Sequence, residues 1–279
     1  MEYIEYRNLD LVWKKSEEYH RSCLNAMAIV EDLSWKEAYG RYIQTLHTYC
    51  STPDHKKNIK KMLKLFGYQK VRYTKDFEGK AIVLMNNLYF AIEKRDDDLV
   101  IYVRNPKSVD GTPTDLIKEG TAILVPVGNS ERVKEKTKFT SLKKDTYTMR
   151  YENKNPLGKN VGDCAIRAIA STMNIGWHES LDALAKVAYE HHCIFVNTSI
   201  VLDSYLSRQG FLQIPAHKKM NGSDLCEKLD HKFAGEVRLF AYSGKSHVIS
   251  IVKEKEDRFK IVDTWDSSKR TIQSYFIRY

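Results

Sequence analysis

The feature that most constrains this chain is a repeat. Near the start it reads SCLNAMAIVEDLSWKEAYGRYIQTLHTYC and then NIKKMLKLFGYQKVRY. Past the middle it reads DCAIRAIASTMNIGWHESLDALAKVAYEHHC and then SIVLDSYLSRQGFLQIP. Cys23 precedes Trp35 by 12 positions and Cys164 precedes Trp177 by 13; Trp35 precedes Gly67 by 32 and Trp177 precedes Gly210 by 33. Three landmarks keep step within one residue, and self-similarity of this kind decides the architecture before any local reading does. The competing reading is two unrelated α+β stretches sharing a Cys and a Trp by coincidence.

Between landmarks the apolar residues follow a helical period: Ile166, Ile169 and Met173; Leu181, Leu184 and Val187; Leu202, Tyr205 and Leu206. Each third helix is expected to close at a glycine, Gly67 or Gly210, the residue that best tolerates a left-handed backbone. Extended segments follow at 68–73 and 211–214. Strand-like runs come next, at 81–85, 88–93 and 99–104 in the first copy and at 236–242, 247–252, 258–264 and 271–278 in the second. The expected class is α+β, two domains that each place helices before an antiparallel sheet. Residues 1–104 form the first domain and 154–279 the second. Residues 105–153 read as a charged linker carrying one added strand, 121–127.

The chain has 279 residues and a net charge of +9, enough for one large or two ordinary domains. Five cysteines without close CxxC spacing suit reduced thiols, and a cytoplasm is the expected compartment. The opening MEYIEYRNLDLVWKK carries acids and lysines where a secretion signal needs an apolar run, and the apolar runs elsewhere are too short to cross a membrane. Opposite charges are mixed along most of the chain, so the surplus reads as solubility rather than as a nucleic-acid surface. No phosphate-cradling glycine motif is present and no cofactor is implied. His191, His192 and Cys193 lack zinc-ligand spacing and read as a helix end.

Chemistry concentrates in the second copy. Cys164 follows Asp163, a suitable N-cap, so the thiol is expected in the first helical turn, where unpaired N–H groups and the helix dipole favour thiolate. The alternative for a lone Cys is a core residue. His247 opens a strand, the turn 253–257 follows, and the next strand ends at Asp263. A turn centred near residue 255 sets His247 directly opposite Asp263, with Cβ atoms about 4.5–5.5 Å apart. A nucleophile at a helix start, a base and an acid that orients it form a triad. Taken alone, the His–Asp pair also fits a solvent-facing ion pair.

NPLGKNVGDCAIRAIA, GKSHVISIV and VDTWDSS resemble the nucleophile, histidine and third-residue segments of papain-like cysteine peptidases, in the compact form found in bacterial and phage proteins. The resemblance spans about residues 150–279. It implies a helical lobe against an antiparallel sheet, with Cys164 as nucleophile, His247 as general base and later acid, and Asp263 as the orienting residue. The CGSCW-type text of papain is absent and the Cys-to-His spacing is shorter. The family's oxyanion glutamine, six positions before the cysteine, is replaced by Gly158. Asn155 and Asn160 are candidate oxyanion donors, with turn roles as their alternative.

The expected function is hydrolysis of a peptide or isopeptide bond through a thioester, with a peptide or protein as substrate. Transfer of the acyl group to an amine is the alternative, and a non-catalytic binding protein the rival from another class. In the first copy the base position falls at Leu88 or Tyr89 and the acid position at 103–105. Cys23, read as the counterpart of Cys164, is left without a partner. The first domain is expected to be a degenerate papain-like copy that binds a protein partner or mediates self-association. Cys50, Cys193 and Cys226 read as ordinary thiols.

Overall fold

The structure, a computed structural model, describes residues 2–5 as backbone and residues 17–52, 54–103, 116–128, 142–159, 162–216, 220–244, 246–255 and 257–279 in full. It is an α+β protein of two compact units, the first comprising residues 1–48 and 54–134, the second residues 49–53 and 135–279.

The first unit runs β1 (Glu2–Glu5), α1 (Glu18–Val30), α2 (Trp35–Tyr49), α3 (Lys57–Leu65), β2 (Tyr68–Arg72), β3 (Gly79–Met85), β4 (Leu88–Arg95), β5 (Asp98–Val103) and β6 (Ala122–Pro126). The second runs β7 (Met149–Tyr151), α4 (Cys164–Met173), α5 (Trp177–Glu190), α6 (Ser199–Arg208), β8 (Leu212–Pro215), α7 (Gly222–Asp230), β9 (Val237–Ser243), β10 (His247–Lys253), β11 (Lys260–Asp263) and β12 (Ile272–Arg278).

The two sheets have the same connectivity. Their orders are β1-β5-β4-β3-β6-β2 and β7-β11-β10-β9-β12-β8. In each, the strand before the helices pairs in parallel with the fifth, and every other pair is antiparallel. The expectation of wholly antiparallel sheets is therefore corrected at one edge of each. β7 has three residues, too few for period-two alternation to stand out in the text. The second unit also inserts α7, started by a capping box in which Asn221 and Asp224 satisfy each other's backbone N–H groups.

Helix ends carry the repeat as well. The spacing that separates Trp35 from Trp177 also separates two pairs of left-handed residues, Asp32 with Asn174 and Cys50 with His192. Gly67 and Gly210, just past the third helices, have φ of +76° and +78°. A left-handed residue stops a helix by turning its next N–H back on the last carbonyls, and glycine does so without a Cβ penalty. His191 and His192 lie at the end of α5, where His191 Nε2 is 2.9 Å from Ser204 Oγ.

The segment expected to be a linker contributes to both sheets, since β6 completes the first and β7 opens the second. The strand expected through residue 104 ends at Val103, and residues 104–115 lie outside the described part.

In the second unit β9 and β10 are buried along nearly their whole length, so they read as apolar runs rather than as alternation. One core gathers Leu239, Ile249, Ile251, Phe259 and Ile261 with Leu225 and Leu229 of α7. Each such side chain contributes about 1.5–3 kcal/mol by leaving water. Helix α4 is fastened to the sheet by Thr172, whose hydroxyl lies 2.9 Å from Ser250 Oγ and 3.1 Å from the Leu239 carbonyl, all without exposure. These bonds hold the last turn of α4 against β9 and β10. No helix among the described residues is long and apolar enough to cross a membrane.

Candidate active site

Cys164 is the first residue of α4 and is partly buried. Burial raises its thiol pKa, but a hydrogen bond to the His247 side chain, the charge of that imidazole, the Val248 backbone N–H and the charge of Arg167 outweigh it. The net effect lowers the thiol below its ordinary value.

His247 begins β10, and its Nε2 lies 2.7 Å from Asp263 Oδ2 at the end of β11. With Nε2 occupied, Nδ1 is the nitrogen left for Cys164. Burial opposes the imidazolium, yet hydrogen bonds to Asp263 and Cys164 raise the His247 pKa to about 9. Three side chains from three elements thus act on one another, His247 bonded to Asp263 and interacting with Cys164.

The register differs from the expected one. Ser250 stands opposite Val262, so one step further along the ladder Asp263 faces Ile249 and is diagonal to His247 rather than opposite it. The turn is centred one residue later than its charged text suggests. Because the shift in pairing is two residues, both side chains keep the same face, and diagonal neighbours remain within reach of an imidazole.

Asp163 is corrected in role. It occupies the N-cap position but makes no capping hydrogen bond. Its buried carboxylate instead accepts from Asn155 Nδ2, Trp177 Nε1 and Arg167 Nε, each at 2.8 Å. Trp177, one of the repeat landmarks, thus owes its place partly to a polar contact beside Cys164.

Asn155 is corrected likewise. Its amide donates to the Asp163 carboxylate and, at 3.0 Å, to the Cys50 carbonyl, while Oδ1 accepts from Leu157 N–H. Both amide hydrogens are committed inside the loop before Cys164, so Asn155 braces that loop and offers no donor to an oxyanion. Asn160, the other candidate, lies outside the described residues. The same loop is held by Lys159, which donates to the Tyr49 carbonyl. Residues 49–53 thereby belong with the second unit although the sequence places them in the first copy.

Two side chains at the site went unread in the sequence. The Trp265 ring lies 5.3 Å from that of His247, tilted by 43°, and is 38% exposed. The His247 and Asp263 side chains are only 11% and 4% exposed, and a bond so far out of water is stronger than one in it. Arg270 stacks over Trp265 with its guanidinium carbon 5.5 Å from the ring. The second is Arg167, one turn beyond Cys164, whose Nη1 donates to Thr264 Oγ1 at 2.9 Å. A small cleft is lined by Cys164, Arg167, Ala168, Val248, Val262 and Asp263.

The shared connectivity fixes the matching positions of the first unit. There Ser22, not Cys23, takes the place of Cys164: the Tyr89 backbone N–H donates to Ser22 Oγ at 3.0 Å, as the Val248 N–H does to the Cys164 sulfur. Cys23 is fully buried, with its thiol pKa pushed up by desolvation. The residue before Tyr89 is Leu88, which corresponds to His247. Val103 corresponds to Asp263, since Tyr102 faces Ala91 as Val262 faces Ser250. A hydroxyl, an isobutyl and an isopropyl group stand where the second unit has thiol, imidazole and carboxylate.

No protein-family model, curated protein or solved structure matches this chain.

Proposed function

We propose that the second unit is a papain-like thiol hydrolase that cleaves an amide bond, in a peptide or isopeptide, through a thioester on Cys164. The observation that carries this reading is the 2.7 Å contact between His247 Nε2 and Asp263 Oδ2, beside a Cys164 at the start of α4 whose thiol is lowered by the His247 imidazole while that imidazole is raised. Opposite shifts of this kind stabilise a thiolate–imidazolium pair, the reactive form of a cysteine nucleophile.

In this mechanism the Cys164 thiolate attacks the carbonyl carbon and the proton on His247 goes to the leaving nitrogen. The amine departs and a thioester remains. His247, now neutral, takes a proton from water, whose oxygen attacks the thioester and frees the acid and the thiolate. Asp263 holds the tautomer with a proton on Nε2, leaving Nδ1 for the exchange. An amine in place of that water turns the same chemistry into acyl transfer.

The first unit is read as a degenerate papain-like copy. Support comes from its matching connectivity and from Ser22, Leu88 and Val103 at the three corresponding positions.

The test is treatment of the full chain with E-64, followed by mass analysis. One adduct on Cys164, lost in His247→Ala, is the expected result. Equal modification of Cys164 and Cys193, or labelling unchanged by His247→Ala, would overturn the reading.

A further inference from the structure

We propose that Arg167 is a positioning residue that ties the start of α4, and with it Cys164, to the Asp263–Thr264 end of β11. The inference rests on the thiol-hydrolase reading and names a residue that reading does not use.

The geometry is that of a bridge. Arg167 Nε donates to Asp163 Oδ1 at 2.8 Å, and Nη1 donates to Thr264 Oγ1 at 2.9 Å and lies 3.9 Å from Asp263 Oδ1. The Arg167 side chain is 8% exposed, between an Asp163 side chain of 0% exposure and an Asp263 side chain of 4%. Asp163 directly precedes the nucleophile and Asp263 holds the base. One rigid planar group therefore fixes the distance between the two ends of the triad, and a guanidinium presents its donors in a fixed fork that an ammonium does not have.

Stability alone is a poor reason for this arrangement. Exposed carboxylate–arginine pairs four residues apart on a helix contribute little, whereas burying charges carries a desolvation cost that apolar packing would not incur. Asp163 is also held by Asn155 and Trp177, so the helix side of the bridge is anchored from three directions. Other charged groups around it are Glu152 and Cys164, which share the cleft with Arg167, and His247 beyond Asp263. Glu152 is paired with Lys154 at 2.8 Å.

The experiment is the rate of Cys164 alkylation by iodoacetamide in the full chain between pH 5 and 9, with melting temperature measured alongside. Arg167→Gln removes charge and fork, and the inflection of the rate profile is expected to rise by about one pH unit, cutting the rate at pH 6 about tenfold. Arg167→Lys keeps the charge and is expected to recover part of that loss. Thr264→Val removes only the strand-side hydroxyl and should slow alkylation at pH 6 about two- to fivefold with the fold intact, which keeps the test decisive if Arg167→Gln does not fold.

Variants that melt earlier but keep the wild-type inflection, or a folded Thr264→Val with an unchanged rate, would overturn the proposal while leaving the triad standing. If wild-type Cys164 reacts no faster than Cys193, the hydrolase reading itself fails and this one falls with it.

Discussion

His247 Nε2 and Asp263 Oδ2 are 2.7 Å apart although the strands that carry them set the two residues diagonally, not face to face. The contact leaves Nδ1 for Cys164, and the orientation of the imidazole depends on the carboxylate. Asp263→Ala removes a charge-assisted hydrogen bond of about 1.5–3 kcal/mol, which corresponds to roughly a 10- to 100-fold loss. Cys164 alkylation at pH 6 should fall by that factor in Asp263→Ala and by less in Asp263→Asn, which keeps an acceptor oxygen. Equal rates in all three proteins would contradict the role given to Asp263.

Stability should depend on pH through the same pair. His247 titrates at about 9 when folded against 6.5 when free, so its contribution is complete below about pH 6.5 and is lost as pH rises through 9. The melting-temperature difference between wild type and His247→Ala should therefore shrink across that window. A difference that stays constant from pH 6 to 10 would show that the imidazole is not held as an ion pair.

Turnover should follow a bell. The rate constant kcat/KM on an amide substrate should rise as Cys164 loses its proton, below the ordinary thiol range, and fall near pH 9 as His247 loses the proton the leaving amine needs. An alkaline limb near pH 6.5 would mean an unperturbed histidine.

Asn155 is expected to matter for stability. Asn155→Ala removes donors from the buried Asp163 carboxylate and the Cys50 carbonyl, a cost of about 1–3 kcal/mol. In a domain of this size that lowers the melting temperature by about 2–4 °C per kcal/mol. A melting point unchanged in Asn155→Ala would contradict the bracing role.

The first unit should resist simple rearming. Ser22→Cys puts a thiol at the position matching Cys164, but Leu88 and Val103 supply neither base nor acid. The new thiol should react no faster at pH 6 than Cys193, read by mass analysis of the labelled chain.

Much of this was legible in the sequence because the signals are local. The helical period, the two closing glycines and the apolar strand runs placed most elements within a residue or two, and the Cys164, His247 and Asp263 segments stood out. What was not legible depended on three-dimensional pairing. β1 and β7 are short strands that pair with partners far along the chain. The 253–257 text does not show which residue the turn centres on. Cys23 drew attention as the same residue type as Cys164, yet the matching position is Ser22, identified by the strand N–H it accepts from. Asp163 looked like a cap because it begins a helix. The signal that tells otherwise was present in Arg167 four residues on, a spacing that pairs opposite charges on one helix face. Asn221 and Asp224 likewise spelled a capping box ahead of α7.

The central claim is that Cys164 is a thiolate nucleophile activated by His247. Competitive labelling of the five thiols with limiting iodoacetamide at pH 6, resolved by peptide mass analysis, tests it most directly. Cys23 and Cys226 are buried with raised thiol values, the latter to about 12, and Cys193 is partly exposed, so they bracket the behaviour of ordinary thiols in the same molecule. The account predicts that Cys164 is modified at least about tenfold faster than Cys193 and that His247→Ala abolishes the difference. Modification of Cys164 and Cys193 at equal rates in the wild-type chain would contradict it.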